Sequence, residues 1–446
     1  MENKSLPEKM NHWAKNSLGV KIITVTILVL LLIIPVSRII RLIDERSQRR
    51  NEAVAEVESK WGEAQTVCGP LLTIPYYSHA LNEKGNTIKI TNYAHFLPEE
   101  LNISCEIKPE KLHRSIYDVI LYKATLKIKG YFMAPDFNDL LPKAESIDWQ
   151  SSNLSMGISD LRFQNKLKIT VNGKDYFFNP GMKATDVYAS GVSCPIMIKA
   201  DTGKDHKYYF ESEIILNGSE SLHFIPLGKE TTVTMNGKWG NPSFDGNFLP
   251  VERQVTDTFF SAKWKYFDLN RNFPQKWVGN AYDVTSSSFG VNLLLSVDEY
   301  QKTTRSAKYN LMFIILTFLV LFFVELIKAL KIHPFQYLMF GFAVSIFYLL
   351  LLSLSEQMSF NLAYLIAGIA VIALIGFYSR FVFRSAQLTT LMVVIMTLLY
   401  SFFFAILQMQ DMSLLIGSIG LFIILALVMY LSRNIDWYGV NKKGNE

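Results

Sequence analysis

Residues 309–330 read YNLMFIILTFLVLFFVELIKAL, with no charge before Glu325. A bilayer core about 30 Å thick takes about 20 apolar residues in one helix. Buried helices of soluble proteins rarely run this long with so few charges. The stretch therefore reads as a membrane span. Working outward, the same criterion gives C-terminal spans at residues 335–354, 361–378, 388–407 and 413–432. On the other side a long, mostly polar interval separates it from one more apolar run, residues 20–40. The chain has 446 residues, 50% hydrophobic and 19% charged, so the average hides two different parts.

The expected fold is a membrane α-helical bundle of 1 + 5 transmembrane helices plus a large extracytoplasmic, mainly-β, sandwich-like domain. The expected divisions are a cytoplasmic N-terminal tail (1–19), a transmembrane anchor (20–43) and a charged helical connector (44–66). A β-rich domain (67–308), a five-helix bundle (309–432) and a cytoplasmic C-terminal tail (433–446) follow. The first apolar run exceeds the usual ~7–15 residues of a signal peptide and no small-x-small site follows it. It reads as an uncleaved signal anchor.

Lys and Arg concentrate in cytoplasmic loops. Lys328 and Lys331, Arg380 and Arg384, and Arg433, Lys442 and Lys443 fall on one side, with Lys4, Lys9, Lys15 and Lys21 at the N-terminus. The short loops around Glu356 and Asp411 carry neither residue. Both termini are therefore expected inside. Around the first span the rule is undecided, because Arg38, Arg41, Arg46, Arg49 and Arg50 follow it.

Between the spans the pattern changes to period two, as in Lys166-Leu167-Lys168-Ile169-Thr170-Val171 and Thr231-Thr232-Val233-Thr234-Met235. Alternation of this kind marks half-buried strands. Asn172-Gly173, Asn217-Gly218 and Asn236-Gly237 supply turn signals, since both residues tolerate positive φ. Residues 82–86 form another such signal. A faint echo links Ile74-Pro75 and Phe96-Leu97-Pro98 to Ile225-Pro226 and Phe248-Leu249-Pro250; duplicated lobes and chance both account for it. Residues 44–66 suit a helix continuing out of the membrane, about 25–30 Å long. Cys68, Cys105 and Cys194 are odd in number and fit no zinc spacing; buried free thiols are the expected state, with one disulfide as the alternative.

Catalytic patterns are missing. The histidines (His12, His79, His95, His113, His206, His223 and His333) form no HxxxH or HExxH, and no GxSxG, P-loop or Rossmann fingerprint occurs. No catalytic, cofactor-binding or metal residue is assigned, and no cofactor is expected. A net charge of +5 with dispersed basic residues gives no case for nucleic-acid binding. Ionisable residues inside a membrane are expensive and mark structure or function. Glu325 is expected to pair with Lys328 one turn on, or with His333 or a neighbouring helix. His333-Pro334 is expected to cap the inner turn, with Pro334 at the first helical position, and Gln336 sits at a span end. Tyr300 suits the headgroup layer, and Glu356 belongs to a tight outer hairpin. These five are candidate structural or contact residues.

Trp61-Gly62 with Gly69-Pro70-Leu71-Leu72-Thr73-Ile74-Pro75-Tyr76 resembles the start of the outer domain in the CreD family of bacterial inner-membrane proteins. Further matches are Pro242-Ser243-Phe244, Phe248-Leu249-Pro250, Leu269-Asn270-Arg271, Phe273-Pro274-Gln275 and Val297-Asp298-Glu299-Tyr300-Gln301. Within the spans they are His333-Pro334, Gln336-Tyr337, Leu354-Ser355-Glu356 and Ala363-Tyr364-Leu365-Ile366, and near the end Asp436-Trp437-Tyr438. The resemblance covers about residues 20 to 440. It implies an envelope-integrity role linked to envelope stress and supplies no catalytic residues. The expected function is non-enzymatic presentation of a β-rich periplasmic domain. Partners are the lipid bilayer and an envelope protein or cell-wall component, with the oligomeric state open. A transporter or lipid-handling protein is the alternative, and a membrane-bound hydrolase the third reading.

Overall fold

The structure is a computed structural model. It describes residues 18–81, 87–114, 117–138, 140, 146–162, 166–183, 185–199, 205–293, 299–328, 330–409 and 412–433. The turn expected at 82–86, Asp411 and the Asp436-Trp437-Tyr438 motif lie outside the described residues, as does nearly all of both expected tails. The chain forms two units, Met1–Arg50 with Val297–Glu446, and Asn51–Ser296.

The helical unit contains most of α1 (Leu18–Trp61), then α2 (Glu299–Lys308), α3 (Asn310–Ile327) and α4 (Pro334–Ser355). Next come α5 (Phe360–Phe383), α6 (Ala386–Gln408) and α7 (Ser413–Ser432). All except α2 are long and apolar enough to cross a membrane, one near the N-terminus and five near the C-terminus. The core is aromatic: Phe313 and Phe403 stack with centroids 4.1 Å apart, and Phe347 packs on Tyr348, Tyr364 and Tyr400. Many apolar side chains face outward, which lipid tolerates and water does not.

Two boundaries differ from the expected ones. The β-rich domain was expected to reach residue 308, but α2 buries Thr303, Ser306 and Ala307 against the other helices. Its buried face is polar-small rather than apolar, so hydropathy alone does not reveal it. The charged connector continues the first span as one helix, as expected, but ends at Trp61 rather than 66: α1 has 44 residues in all, with Pro35 inside the helix. At about 1.5 Å per residue this is about 66 Å. The helix stops at Gly62, whose N–H bonds Glu58 O at 2.9 Å. Gly62 has φ +155°, and a Cβ there would lie 2.7 Å from Asn217 O.

The β unit is two sheets around one core. The first runs Pro242–Gly246, Phe289–Leu293, Ser221–Ile225, Gln65–Leu81, Asn153–Ile158, Gly191–Pro195 and Asn179–Pro180, with Thr87–Phe96 and Lys276–Val278 extending it. The second runs Glu252–Val255, Phe260–Phe267, Glu230–Gly237, Glu100–Arg114, Tyr117–Met133, Lys207–Ser219, Lys168–Val171 and Lys174–Phe177. Alternation sorts the side chains: along 207–219 every second residue from Tyr208 is buried. Pairs are mostly antiparallel, but each sheet has one central parallel pair, Gln65–Leu81 with Ser221–Ile225 and Glu100–Arg114 with Glu230–Gly237. The internal echo does not mark equivalent positions. Phe96-Leu97-Pro98 leads into a central strand, whereas Phe248-Leu249-Pro250 leads into an edge strand.

Candidate functional site

Glu325 sits in the last turn of α3, where the negative end of the helix dipole disfavours a carboxylate. It is only 4% exposed. Three donors compensate. Lys21 Nζ, 304 residues away on α1, donates to Oε1 at 2.8 Å. Tyr337 OH on α4 donates to Oε2 at 2.8 Å, and the Ile332 N–H reaches Oε1 at 3.4 Å. The partner is thus a neighbouring helix, not Lys328. Lys328 is the C-cap of α3 and has left helical geometry, with φ −100° and ψ 7°. The i,i+3 spacing that would bring the two side chains together ends before it. Beside the pair is a cavity of about 360 Å³, lined by Lys21, Glu325, Lys331, His333 and Tyr337 with apolar residues of α1.

His333 and Gln336 form the N-terminal cap of α4. His333 Nδ1 accepts the Phe335 N–H at 3.2 Å, and Gln336 Oε1 accepts the His333 N–H at 2.9 Å. Pro334 is the first helical residue, a position where its missing N–H has no helical partner to lose. His333 shares the cavity with Glu325 but does not bond it directly.

Glu356 caps the other end of α4 and lies 3.9 Å from Arg46 Nε on α1. Lys21 and Arg46 are about 25 residues apart on one helix, about 38 Å. That is longer than the apolar core of a bilayer, about 30 Å. Gln408, Asn361 and Lys302 form a further polar group: Gln408 Nε2 donates to Asn361 Oδ1 at 2.5 Å, and Lys302 Nζ to Gln408 Oε1 at 3.3 Å. The backbone of Tyr300 belongs to α2, but its side chain lies outside the described residues.

The sequence reading missed Lys21 and Tyr337 as site residues. Lys21 was visible as a cation in the first turn of the first apolar run, and counted there only toward orientation. Its pairing with a residue 304 positions away leaves no local signature.

In the β unit, His95 is fully buried. Its Nδ1 lies 3.1 Å from Thr73 Oγ1, its Nε2 lies 2.9 Å from Asp186 Oδ2, and Trp277 packs on the ring. This is a hydroxyl–imidazole–carboxylate array, but Thr73 is 1% exposed, so its hydroxyl does not meet solvent. The array ties residue 186 to the sheet. Burial raises the Asp186 pKa, but the hydrogen bond to His95 and its charge prevail, leaving it below the usual 3.8. Arg271, in the LNR motif, is 9% exposed. It bonds Gln275 Oε1 and stacks on Phe273. Burial lowers its pKa to about 10 against the opposing charge of Asp268. Cys68, Cys105 and Cys194 are free and buried. Among the described residues no three His, Cys, Asp or Glu side chains are grouped to hold a metal ion.

Six apolar helices, with ion pairs joining α1 to α3 and to the end of α4, and a large two-sheet unit following the first helix in sequence, define a polytopic membrane protein with a folded β domain. The chain belongs to the CreD family: the family model described as inner membrane protein CreD matches residues 17–438. It is 30% identical over 416 residues to inner membrane protein CreD of Escherichia coli (strain K12), covering 92% of this chain and 91% of that one.

Proposed function

We propose that the protein is a non-enzymatic envelope-integrity component that acts in envelope stress, with both termini cytoplasmic and the β unit periplasmic. The carrying observation is how the charges are used. In the helical unit they tie helices together at two levels of α1, near its start through Lys21–Glu325 and 25 residues further on through Arg46–Glu356. In the β unit the hydroxyl and imidazole of the Thr73–His95–Asp186 array are buried, and only the carboxylate is partly exposed. Both arrangements hold structure rather than reacting groups. The Lys and Arg of the loops near Lys328 and Arg380 support the orientation. The β unit then serves as a surface for an envelope protein or cell-wall component.

Deleting the gene and measuring uptake of an excluded dye under detergent or β-lactam stress tests the role. Increased uptake, restored by the full chain, is expected; unchanged permeability in every condition overturns it. Labelling of the β unit by an activity-based hydrolase probe would overturn the non-enzymatic reading. For orientation, Lys127→Cys should react with an impermeant maleimide in spheroplasts and Arg384→Cys should not.

One observation favours lipid handling as a second reading. An apolar groove of about 560 Å³ runs between α3, α6 and α7, lined by residues such as Phe323, Leu398 and Ile423, with Lys328 as its one charge. Lipid flux in reconstituted vesicles that stops with Glu325→Gln would place this reading first.

A further inference from the structure

We propose that the cavity beside Glu325 binds an anionic phosphate group, that of an acidic phospholipid headgroup. The inference rests on charge, shape and position together. The cavity is about 360 Å³ and is bounded by the start of α1, the segment after α3 and the start of α4. Its polar wall carries Lys21, Lys331 and His333 against a single carboxylate, Glu325. That carboxylate is already paired with Lys21 at 2.8 Å and with Tyr337 at 2.8 Å. Lys331 is exposed and has no ion pair among the described residues. The site therefore holds one uncompensated cation.

The first-turn N–H groups of α4 do not make this site. Those of Phe335 and Gln336 are taken by His333 Nδ1 and His333 O. The positive end of the dipole of this 22-residue helix still adds to the field there. The opposite wall, Val25 and Leu28 of α1, is apolar. A ligand that fits both walls has a negative head and an apolar body. In a bilayer that describes an acidic phospholipid, and basic pockets between helices near a membrane face recognise such headgroups. The position agrees, since this end of α1 lies about 38 Å from Arg46, at the level of headgroups rather than of acyl chains. Glu325 keeps Lys21 in place, so the order of charge is carboxylate, lysine, phosphate, lysine.

The test uses the purified full chain, delipidated in detergent and examined by native mass spectrometry. It is offered phosphatidylglycerol, phosphatidylcholine and, separately, inorganic phosphate. Retention of phosphatidylglycerol over phosphatidylcholine is expected, and Lys331→Gln should lower it about fivefold, the worth of one basic residue at an anionic surface. Lys331→Arg should keep it, and Lys328→Gln, on the separate groove, should leave it unchanged. Lys331 is exposed, so its replacement does not threaten folding as loss of Lys21 does. Equal retention of the two lipids, or retention indifferent to Lys331→Gln, overturns the proposal. Displacement of phosphatidylglycerol by millimolar inorganic phosphate that itself binds assigns the site to a soluble phosphate and overturns the lipid source; failure to displace supports the lipid. None of these readouts depends on an envelope phenotype, so the two proposals stand or fall separately.

Discussion

In the helical unit Ile369 and Phe422 point outward, 61% and 71% exposed, whereas in the β unit Ile74 and Trp264 are fully buried. The same kinds of side chain are placed oppositely because the surrounding solvent differs. Lipid tails are as apolar as a leucine, so association between the helices draws on packing, small-residue contacts and polar links. Water drives the β unit to bury its apolar faces. The polar groups differ in the same way. The β unit spreads charges over its surface and keeps few inside, such as His95 with Asp186 at 2.9 Å. The helical unit pairs charges between helices at two levels of α1, Lys21 and Arg46.

The strongest way to break this contrast is to remove one large side chain from each unit. Trp264→Ala should cost about 3–5 kcal/mol, as for other buried aromatics, in denaturant unfolding followed by β-sheet circular dichroism. Phe422→Ala on the lipid side should change stability by about 0.5 kcal/mol or less. Equal costs would mean that α7 is covered by protein. Thiol chemistry probes the β core with an effect of similar size. Burial pushes Cys68 and Cys194 up to about 12, and Cys105 higher still, the last aided by Glu106. A thiol raised from about 9 to about 12 leaves about a thousandfold less thiolate. Maleimide at pH 8 should therefore leave the folded chain unlabelled and label all three after unfolding.

The ion pair is the next largest. Breaking a buried pair costs about 3–5 kcal/mol when one charge is stranded. Lys21 keeps 30% of its side chain exposed, so Glu325→Gln should cost somewhat less than that, about 2–3 kcal/mol. Lys21→Gln with Glu325→Gln should cost less than the two single changes together. Additive losses would show that the contact contributes no coupling. The smallest effect concerns pH. Asp186 is lowered below 3.8 in the folded protein, so its contribution is present above the unfolded value and lost as pH falls through the folded one. Asp186→Asn should flatten the fall in thermal midpoint below about pH 4. An unchanged slope assigns the acid sensitivity to other carboxylates.

How much was legible follows from the range over which each signal acts. Spans and strands are written in consecutive residues, so the six apolar helices and the alternating strands were readable. The cap at His333-Pro334-Gln336 was also readable, because all its partners lie within three positions. Residues 299–308 were harder, since their helix buries Thr303 and Ser306 and shows no apolar stripe. Glu325 could be singled out as a charge at a span end, yet its own neighbourhood offered Lys328, which the helix end turns away. His95 was one of seven histidines, and nothing local tied it to Asp186, 91 residues on.

By itself the sequence determined the solvent of each segment: lipid for six runs, water for the faces of the strands. It did so because transfer free energy is a property of each residue and its periodicity. Only the tertiary structure decided which charges meet. Lys21 with Glu325, Arg46 with Glu356 and His95 with Asp186 are joined by helix packing and strand order. Such contacts depend on the path of the chain through space, which no local pattern encodes.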